Sequence, residues 1–335
     1  MKLLVTGGAG FIGTNFIRRM ITKHPAWQII NVDKLTYAGN PENLADLKGC
    51  GNYRFVRGDI ADYRAMETFF QQGIDVVVNF AAESHVDRSI DDAGPFISTN
   101  IAGTFVLLQL ARRHGVQKHV QVSTDEVYGS LPGEGRFGED SPLRPNNPYA
   151  ASKTAADLLC RSFYATYNLP VIITRCSNNY GPYQFPEKLI PLVITNALAN
   201  ESIPVYGDGL NIRDWIYVTD HCRALETVVR DGRPGEVYNI GADNELTNLA
   251  LVQQVLELLN KPDKLIKFVP DRPGHDRRYA INSTKIRETL GWRPACTFRD
   301  GLERTVKWYM EHPGWWKRIR SGAYRDYYRK QYGKI

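Results

Sequence analysis

Short, β-branched and almost wholly apolar runs recur through the first 180 residues, separated by longer segments whose apolar positions fall three or four apart. The runs at 3–6, 29–33, 54–57, 76–82, 120–124 and 171–174 are apolar at nearly every position. Strands of that kind are buried on both faces, as in a parallel sheet between two helical layers. The pattern predicts an α/β fold with a doubly wound parallel sheet. Beyond residue 180 the rhythm loosens into a helix near 185–199, short strands at 204–206 and 215–218, and helices near 220–230 and 247–259. This predicts a main domain over 1–180 and a smaller α/β lobe over 181–335, with 236–241 expected to return to the main sheet. No repeat or Ser/Gly linker separates them, so the lobe is expected to pack on the sheet and leave a cleft.

Three motifs carry the chemistry, two of them at carboxyl ends of these strands, where open α/β sheets bind ligands, and one at the start of a helix. Thr6-Gly7-Gly8-Ala9-Gly10-Phe11-Ile12-Gly13 joins the first strand to the first helix. Gly7 permits the tight turn, Gly10 lets backbone approach a pyrophosphate, and Gly13 lets helix and strand pack closely. Asp33 ends the second strand 20 residues past Gly13, placed to accept hydrogen bonds from a ribose. Its carboxylate argues for NAD over NADP, an argument that Lys34 weakens. Asp59-Ile60 and Ala81-Ala82-Glu83-Ser84 follow the third and fourth strands, although Asp59 also suits a helix cap.

The second motif, Tyr149-Ala150-Ala151-Ser152-Lys153, places Tyr149 and Lys153 on one helical face. A phenol is a poor base unless a nearby ammonium and a cationic nicotinamide lower its pKa. The third motif, Thr124-Asp125-Glu126, sets two carboxylates side by side after a strand. Such a pair either caps a turn or divides acid and base duties.

Of 335 residues, 42 are Lys or Arg and 36 are Asp or Glu, a formal charge of +6 that lies wholly in the segment from Pro313 onward. That tail is also aromatic, and Trp315, Trp316, Tyr324, Tyr327 and Tyr328 fit a terminal helix packed on the body better than a nucleic-acid surface. The five cysteines and seven histidines show no disulfide or metal spacing, so no metal is expected. The start reads as no signal peptide, and apolar runs break before the ~18 residues a membrane helix needs. A soluble, cytoplasmic protein binding neither membrane nor nucleic acid is the expectation.

Further stretches sharpen the picture: Asp33-Lys34-Leu35-Thr36-Tyr37-Ala38-Gly39, Ala82-Glu83-Ser84-His85-Val86-Asp87-Arg88-Ser89, Arg175-Cys176-Ser177-Asn178-Asn179-Tyr180-Gly181-Pro182, Pro186-Glu187-Lys188-Leu189-Ile190-Pro191 and Asp271-Arg272-Pro273-Gly274-His275-Asp276. With the three motifs they make the chain resemble the extended short-chain dehydrogenase/reductase family, and within it the NAD-dependent sugar-nucleotide dehydratases, along nearly its whole length. The resemblance implies a Rossmann sheet, bound NAD, a homodimer formed through helices near 91–114 and 149–167, and dTDP-glucose as substrate. It implies that Tyr149 deprotonates the carbon 4 hydroxyl, Glu126 removes the carbon 5 proton and Asp125 protonates the departing carbon 6 hydroxyl. Thr124 would hydrogen-bond the carbon 4 oxygen, and Lys153 the nicotinamide ribose.

By the same resemblance Gly7, Gly10, Phe11, Ile12, Gly13, Asp33, Lys34, Leu35, Thr36, Asp59, Ile60, Ala81, Ala82, Ser84, Thr99 and Asn179 would hold the cofactor. The substrate would meet Ser84, Asn178, Lys188, Leu189, Pro204, Tyr206, Arg213, Asn248, Arg272 and His275. An epimerase or decarboxylase of this family would share the glycine loop, Tyr149 and Lys153, but would not need both carboxylates, so Asp125 discriminates. UDP- and GDP-sugar dehydratases differ mainly in nucleotide contacts, and a non-catalytic NAD-binding regulator would not need the catalytic set.

Overall fold

The apolar runs are strands, and seven strands share one sheet. In the computed structural model, which describes residues 1–131 and 133–321, the strands run β1 (Lys2–Thr6), β2 (Gln28–Asp33), β3 (Tyr53–Arg57), β4 (Val76–Asn79), β5 (Lys118–Thr124), β6 (Val171–Cys176), β7 (Asn178–Tyr180), β8 (Ile203–Tyr206), β9 (Ile212–Tyr217), β10 (Val237–Ile240), β11 (Glu245–Thr247) and β12 (Ile266–Val269). The main sheet has the order β10-β6-β5-β4-β1-β2-β3, with every pairing parallel. The order reverses between β1 and β4, which opens a crevice at the carboxyl ends of the strands. One core lies on each face of the sheet, one of them centred on Phe16, Met20 and Leu225 and the other on Met66, Leu107 and Phe163. A third core, with Trp215, Leu251 and Tyr309, fills the second lobe, where β7-β9-β11 and β8-β12 form two small sheets.

Element ends differ from expectation where side chains intervene. β4 stops at Asn79 rather than residue 82, because Asn79 Oδ1 accepts both the Thr6 hydroxyl at 2.6 Å and the Ala81 amide at 3.2 Å, turning the chain. The helix expected from 185 starts at Leu189, after a turn in which Lys188 N donates to Phe185 O. β9 begins three residues earlier than expected, and Val218 already opens the helix Val218–Asp231, which packs on the first helix, Phe11–Lys23. Contrary to the expectation of short apolar runs, the helical run Gly94–Arg113 has the length and apolarity to cross a membrane. Half of it is buried inside the protein, including Leu107, Leu108 and Leu110.

Trp315 and Trp316 are buried on the helix Pro313–Ile319, as expected, and Trp315 Nε1 donates to Asn43 Oδ1 at 2.8 Å. Tyr324, Tyr327, Tyr328 and the remaining basic tail lie outside the described residues.

A buried polar chain ties the helix Pro148–Tyr167 to the sheet. Arg175 Nε on β6 donates to Asp157 Oδ2 at 2.9 Å, Arg175 Nη1 to the Tyr128 hydroxyl at 2.9 Å, and Tyr128 in turn to Asn239 Oδ1 at 2.8 Å. Arg175→Met strands the Asp157 carboxylate in the interior and is expected to cost about 3–5 kcal/mol of stability. A lowered urea midpoint with unchanged slope checks this; an unchanged midpoint would show the pair is dispensable.

Candidate active site

The cofactor side of the crevice is made from backbone. Gly7 has φ +72°, and a Cβ there would lie 2.5 Å from Ala81 N; at Gly13 it would lie 2.5 Å from Gly7 O. Side chains at either position would force strand and helix apart. The helix Phe11–Lys23 starts at Gly10 with no side-chain cap and no acid in its first turn. Its unsatisfied amides and positive dipole end are left for an anion.

Asp33 at the end of β2 is 8% exposed and accepts Ala9 N at 2.9 Å and Leu35 N at 2.8 Å, which fixes its carboxylate on the crevice rim. Burial pushes its pKa up against those two hydrogen bonds. Lys34 Nζ pairs with Asp59 Oδ2 at 2.6 Å, so this neighbour of Asp33 is already engaged by a carboxylate. Asp59 also caps its own turn, accepting Ala61 N at 2.9 Å.

The same crevice continues to the catalytic motifs. Asn147 Oδ1 caps the helix Pro148–Tyr167 by accepting Ala150 N at 2.8 Å, and Tyr149 and Lys153 follow one turn apart, 8% and 4% exposed. Lys153 Nζ donates to Val122 O at 2.7 Å. In the protein alone, burial and then Glu126 push the Tyr149 phenol well above its ordinary pKa, opposed by a hydrogen bond with Thr124. Burial also lowers the Lys153 ammonium. The chain's own groups therefore do not acidify Tyr149, because desolvation outweighs them. That leaves the acidifying charge to a bound cationic cofactor.

β5 ends at Thr124, whose Oγ1 accepts Glu126 N at 3.2 Å and donates to Asp125 Oδ1 at 3.3 Å, starting the 3-10 turn Asp125–Tyr128. Asp125 is 2% exposed and its Oδ2 is buried without a partner. Burial, then the Glu126 and Asp214 charges, push its carboxyl well above the carboxylate range, so it holds its proton. Glu126 is less buried; its Oε2 lies 3.5 Å from the Tyr279 hydroxyl, which donates to Asp276 Oδ2 at 2.5 Å.

Of the residues singled out in the sequence, Gly7, Gly10 to Gly13, Asp33, Lys34, Thr36, Asp59, Ile60, Ala81, Ala82, Ser84, Thr99, Asn178, Asn179 and Lys188 line this one crevice with the catalytic five. Leu35 does not line it and offers only its amide to Asp33. Lys188 Nζ donates to Ser84 O at 2.8 Å, joining the two lobes across the opening.

The second lobe brings up the arginines. Arg213 is 5% exposed, with its guanidinium 4.3 Å above the Tyr279 ring and within the field of Glu126 and Asp125. Arg272 Nη1 and the Tyr206 hydroxyl donate to the two oxygens of Asp87, each at 3.1 Å, and His275 stands edge-on to Tyr206. Tyr206, Arg213, Arg272 and His275 lie outside the lining of the crevice, as do Leu189 at the start of a helix, Pro204 in β8 and Asn248 at the head of the helix Asn248–Leu258. Asn248 Oδ1 is buried without a partner. Sequence reasoning did not single out Tyr279, and it gave no role to Asp87 or to the buried Glu187, whose Oε2 accepts from Arg88 at 3.2 Å. Among the described residues no cluster of three or more metal-ligating side chains occurs.

A glycine-cradled crevice that runs into a Tyr-Lys pair defines a dinucleotide-dependent enzyme of the short-chain dehydrogenase/reductase class, and the neighbouring acid and carboxylate add eliminating chemistry. Residues 4–305 match the family described as GDP-mannose 4,6 dehydratase, and the chain belongs to this nucleotide-sugar dehydratase family. It is 51% identical over 325 residues to a dTDP-glucose 4,6-dehydratase of Streptomyces niveus, covering 96% of each chain. Two solved dTDP-glucose 4,6-dehydratases superpose closely. One, from Streptomyces venezuelae with NAD bound, has a TM-score of 0.93 at 51% identity, covering 95% of this chain and 100% of that one. The other, from Bacillus anthracis in complex with NAD, has a TM-score of 0.90 at 52% identity, covering 95% and 99%.

Proposed function

We propose that this chain is an NAD-dependent dTDP-glucose 4,6-dehydratase, a hydro-lyase that converts dTDP-glucose to dTDP-4-keto-6-deoxyglucose and water. The observation that carries this reading is the pair at the end of β5: two adjacent carboxyl groups in unlike surroundings, one sealed and neutral, the other open towards arginines. An enzyme that only moves hydride to and fro at carbon 4 has no use for the neutral one. The uncapped helix at Gly10 and the fixed Asp33 fit NAD, held by the glycine loop, Asp33 and Lys153. When bound, NAD accepts a hydride from carbon 4 and gives it back at carbon 6.

The chain's own residues do the rest. Tyr149 takes the carbon 4 hydroxyl proton, with Thr124 holding that oxygen, and the resulting ketone acidifies carbon 5. Glu126 removes the carbon 5 proton and Asp125 protonates the carbon 6 hydroxyl, which leaves as water; a hydroxide leaving group requires that acid. Lys188, Arg213 and Arg272 offer the cations a nucleoside diphosphate needs, and the fork geometry of Arg suits its oxygens.

Ile97, Phe105, Leu158, Tyr164 and Tyr167 are all at least 39% exposed and lie within 91–114 and 149–167, the segments expected to form a dimer. A homodimer through that face completes our reading. The five cysteines, none in a disulfide, suit a reducing cytoplasm.

Mass spectrometry of dTDP-glucose and UDP-glucose, each incubated with the protein and catalytic NAD, tests the reading. Loss of one water is expected from the thymidine sugar, at about tenfold or greater kcat/KM than from the uridine sugar. No loss from either would return the epimerase or decarboxylase alternatives.

A further inference from the structure

His221 is sealed inside the protein, 0% exposed on the helix Val218–Asp231, and no step of the proposed reaction uses it. Its Nδ1 lies 2.8 Å from Oδ1 of Asn179 on β7. The direction of that hydrogen bond follows from the other end of the Asn179 amide. Nδ2 donates to the Ser177 carbonyl at 3.0 Å, and a carbonyl can only accept, so the amide cannot be turned over. Oδ1 therefore faces His221, and Nδ1 of the imidazole carries the hydrogen. Nε2 is left as an acceptor, buried with no partner among the described residues. Burial pushes the ring's pKa down to about 3, so at neutral pH that atom takes no proton.

A side chain kept only to fill space would not strand an acceptor in the interior, because the unmade hydrogen bond costs stability that an apolar group of similar size does not. What the imidazole contributes is one N–H aimed at Asn179. That residue, 9% exposed, lines the crevice together with Tyr149, Lys153 and Cys176, just past the carboxyl end of β6. In the functional reading above, on which this inference rests, the adenosine ribose lies at Asp33 on β2 and the pyrophosphate at Gly10. The strand order β6-β5-β4-β1-β2 then carries the nicotinamide towards Asn179. The Asn179 backbone is held as well: Gln184 Nε2 donates to its carbonyl at 2.9 Å, and the Tyr309 hydroxyl donates to Gln184 O.

We propose that His221 is a positioning residue for hydride transfer, its Nδ1–H holding the Asn179 amide as a fixed wall of the crevice against which the nicotinamide ring is set. Hydride transfer is steep in distance, and a displacement of about 1 Å costs up to about 10²-fold in rate. No bond to His221 changes in the reaction, and the cations that meet the substrate, Lys188, Arg213 and Arg272, do not depend on it.

The test sets activity against stability. In His221→Leu, which removes the donor, kcat is expected to fall about tenfold or more while KM for dTDP-glucose stays within about twofold. The deuterium isotope effect on kcat, measured with the sugar labelled at carbon 4, is expected to exceed the native value. His221→Asn brings an amide N–H close to where Nδ1 stands and is expected to recover kcat to within about threefold of native. Asparagine fills the space less well than leucine, so its urea midpoint is expected to be the lower of the two. A merely structural role ranks activity as it ranks stability, whereas positioning ranks them in opposite order. Added to Asn179→Ala, His221→Leu is expected to slow kcat no further, because its effect runs through that amide. Should the leucine variant not fold, His221→Gln, whose amide falls near the place of Nε2, takes its part with the same expectation. A His221→Asn enzyme as slow as the variant without the donor, an unchanged isotope effect in that variant, or independent slowing in the pair would overturn the positioning role. A native protein that releases no water from dTDP-glucose would instead overturn the functional reading beneath it, and this role with it.

Discussion

Asp125→Asn is expected to slow the loss of water by about 10²–10⁴-fold while leaving oxidation at carbon 4 within about tenfold of its native rate. The asymmetry follows from where the groups sit. Oxidation uses Tyr149 and Lys153 on the helix Pro148–Tyr167, whereas Asp125 lies on the turn after β5 with one oxygen free of any partner. Asparagine keeps the volume and the contact with Thr124 but has no carboxylic proton to give to the carbon 6 hydroxyl. In a single turnover, reduced cofactor is expected to rise and persist, read by its absorbance, while quenched samples show no dehydrated sugar. Equal slowing of both steps would remove the acid role from Asp125. The pH dependence carries the sign of the same argument. The Asp125 pKa is raised, so the acid is present below that value and is lost as pH climbs through it. In the native enzyme the dehydration step therefore falls on the alkaline side, and in Asp125→Asn that limb disappears.

What the sequence made legible was local. The glycine loop, Asp33 and the Tyr149/Lys153 pair are visible because each is a short spacing tied to one strand end or one helical turn, and the main sheet follows from runs apolar on both faces. What was not legible depends on partners far away in the chain. Asp87 meets Arg272 across 185 positions, and Tyr279 meets Glu126 across 153, so no spacing rule could pair them. β12 was missed because its four residues are partly buried or exposed and show no apolar face; it is a strand because it pairs with β8. The sequence shows the ammonium near Tyr149 but not the depth of burial, which in the protein alone raises the phenol and leaves its acidification to the cofactor. Residue types establish which charges are present, while only the fold establishes how much water they keep.

Glu126→Gln is expected to stop the reaction at a different point from Asp125→Asn, and comparison of the two separates base from acid. The carboxylate of Glu126 lies in the field of Arg213 and Arg272 from the second lobe, with its Oε2 3.5 Å from the Tyr279 hydroxyl. Glutamine keeps the shape but cannot take a proton from carbon 5, so dehydration is expected to fall about 10²–10⁴-fold. Both variants are expected to accumulate the oxidised sugar. In deuterated water, the Asp125→Asn enzyme, whose base is intact, exchanges the carbon 5 hydrogen of that trapped intermediate, and the Glu126→Gln enzyme leaves it protonated. Reduction of the quenched intermediate with borohydride and mass analysis reads one mass unit of difference at carbon 5. Deuterium at that carbon in the Glu126→Gln enzyme would show that another group is the base. The candidate would then be Tyr279, whose hydroxyl already bridges Glu126 and Asp276.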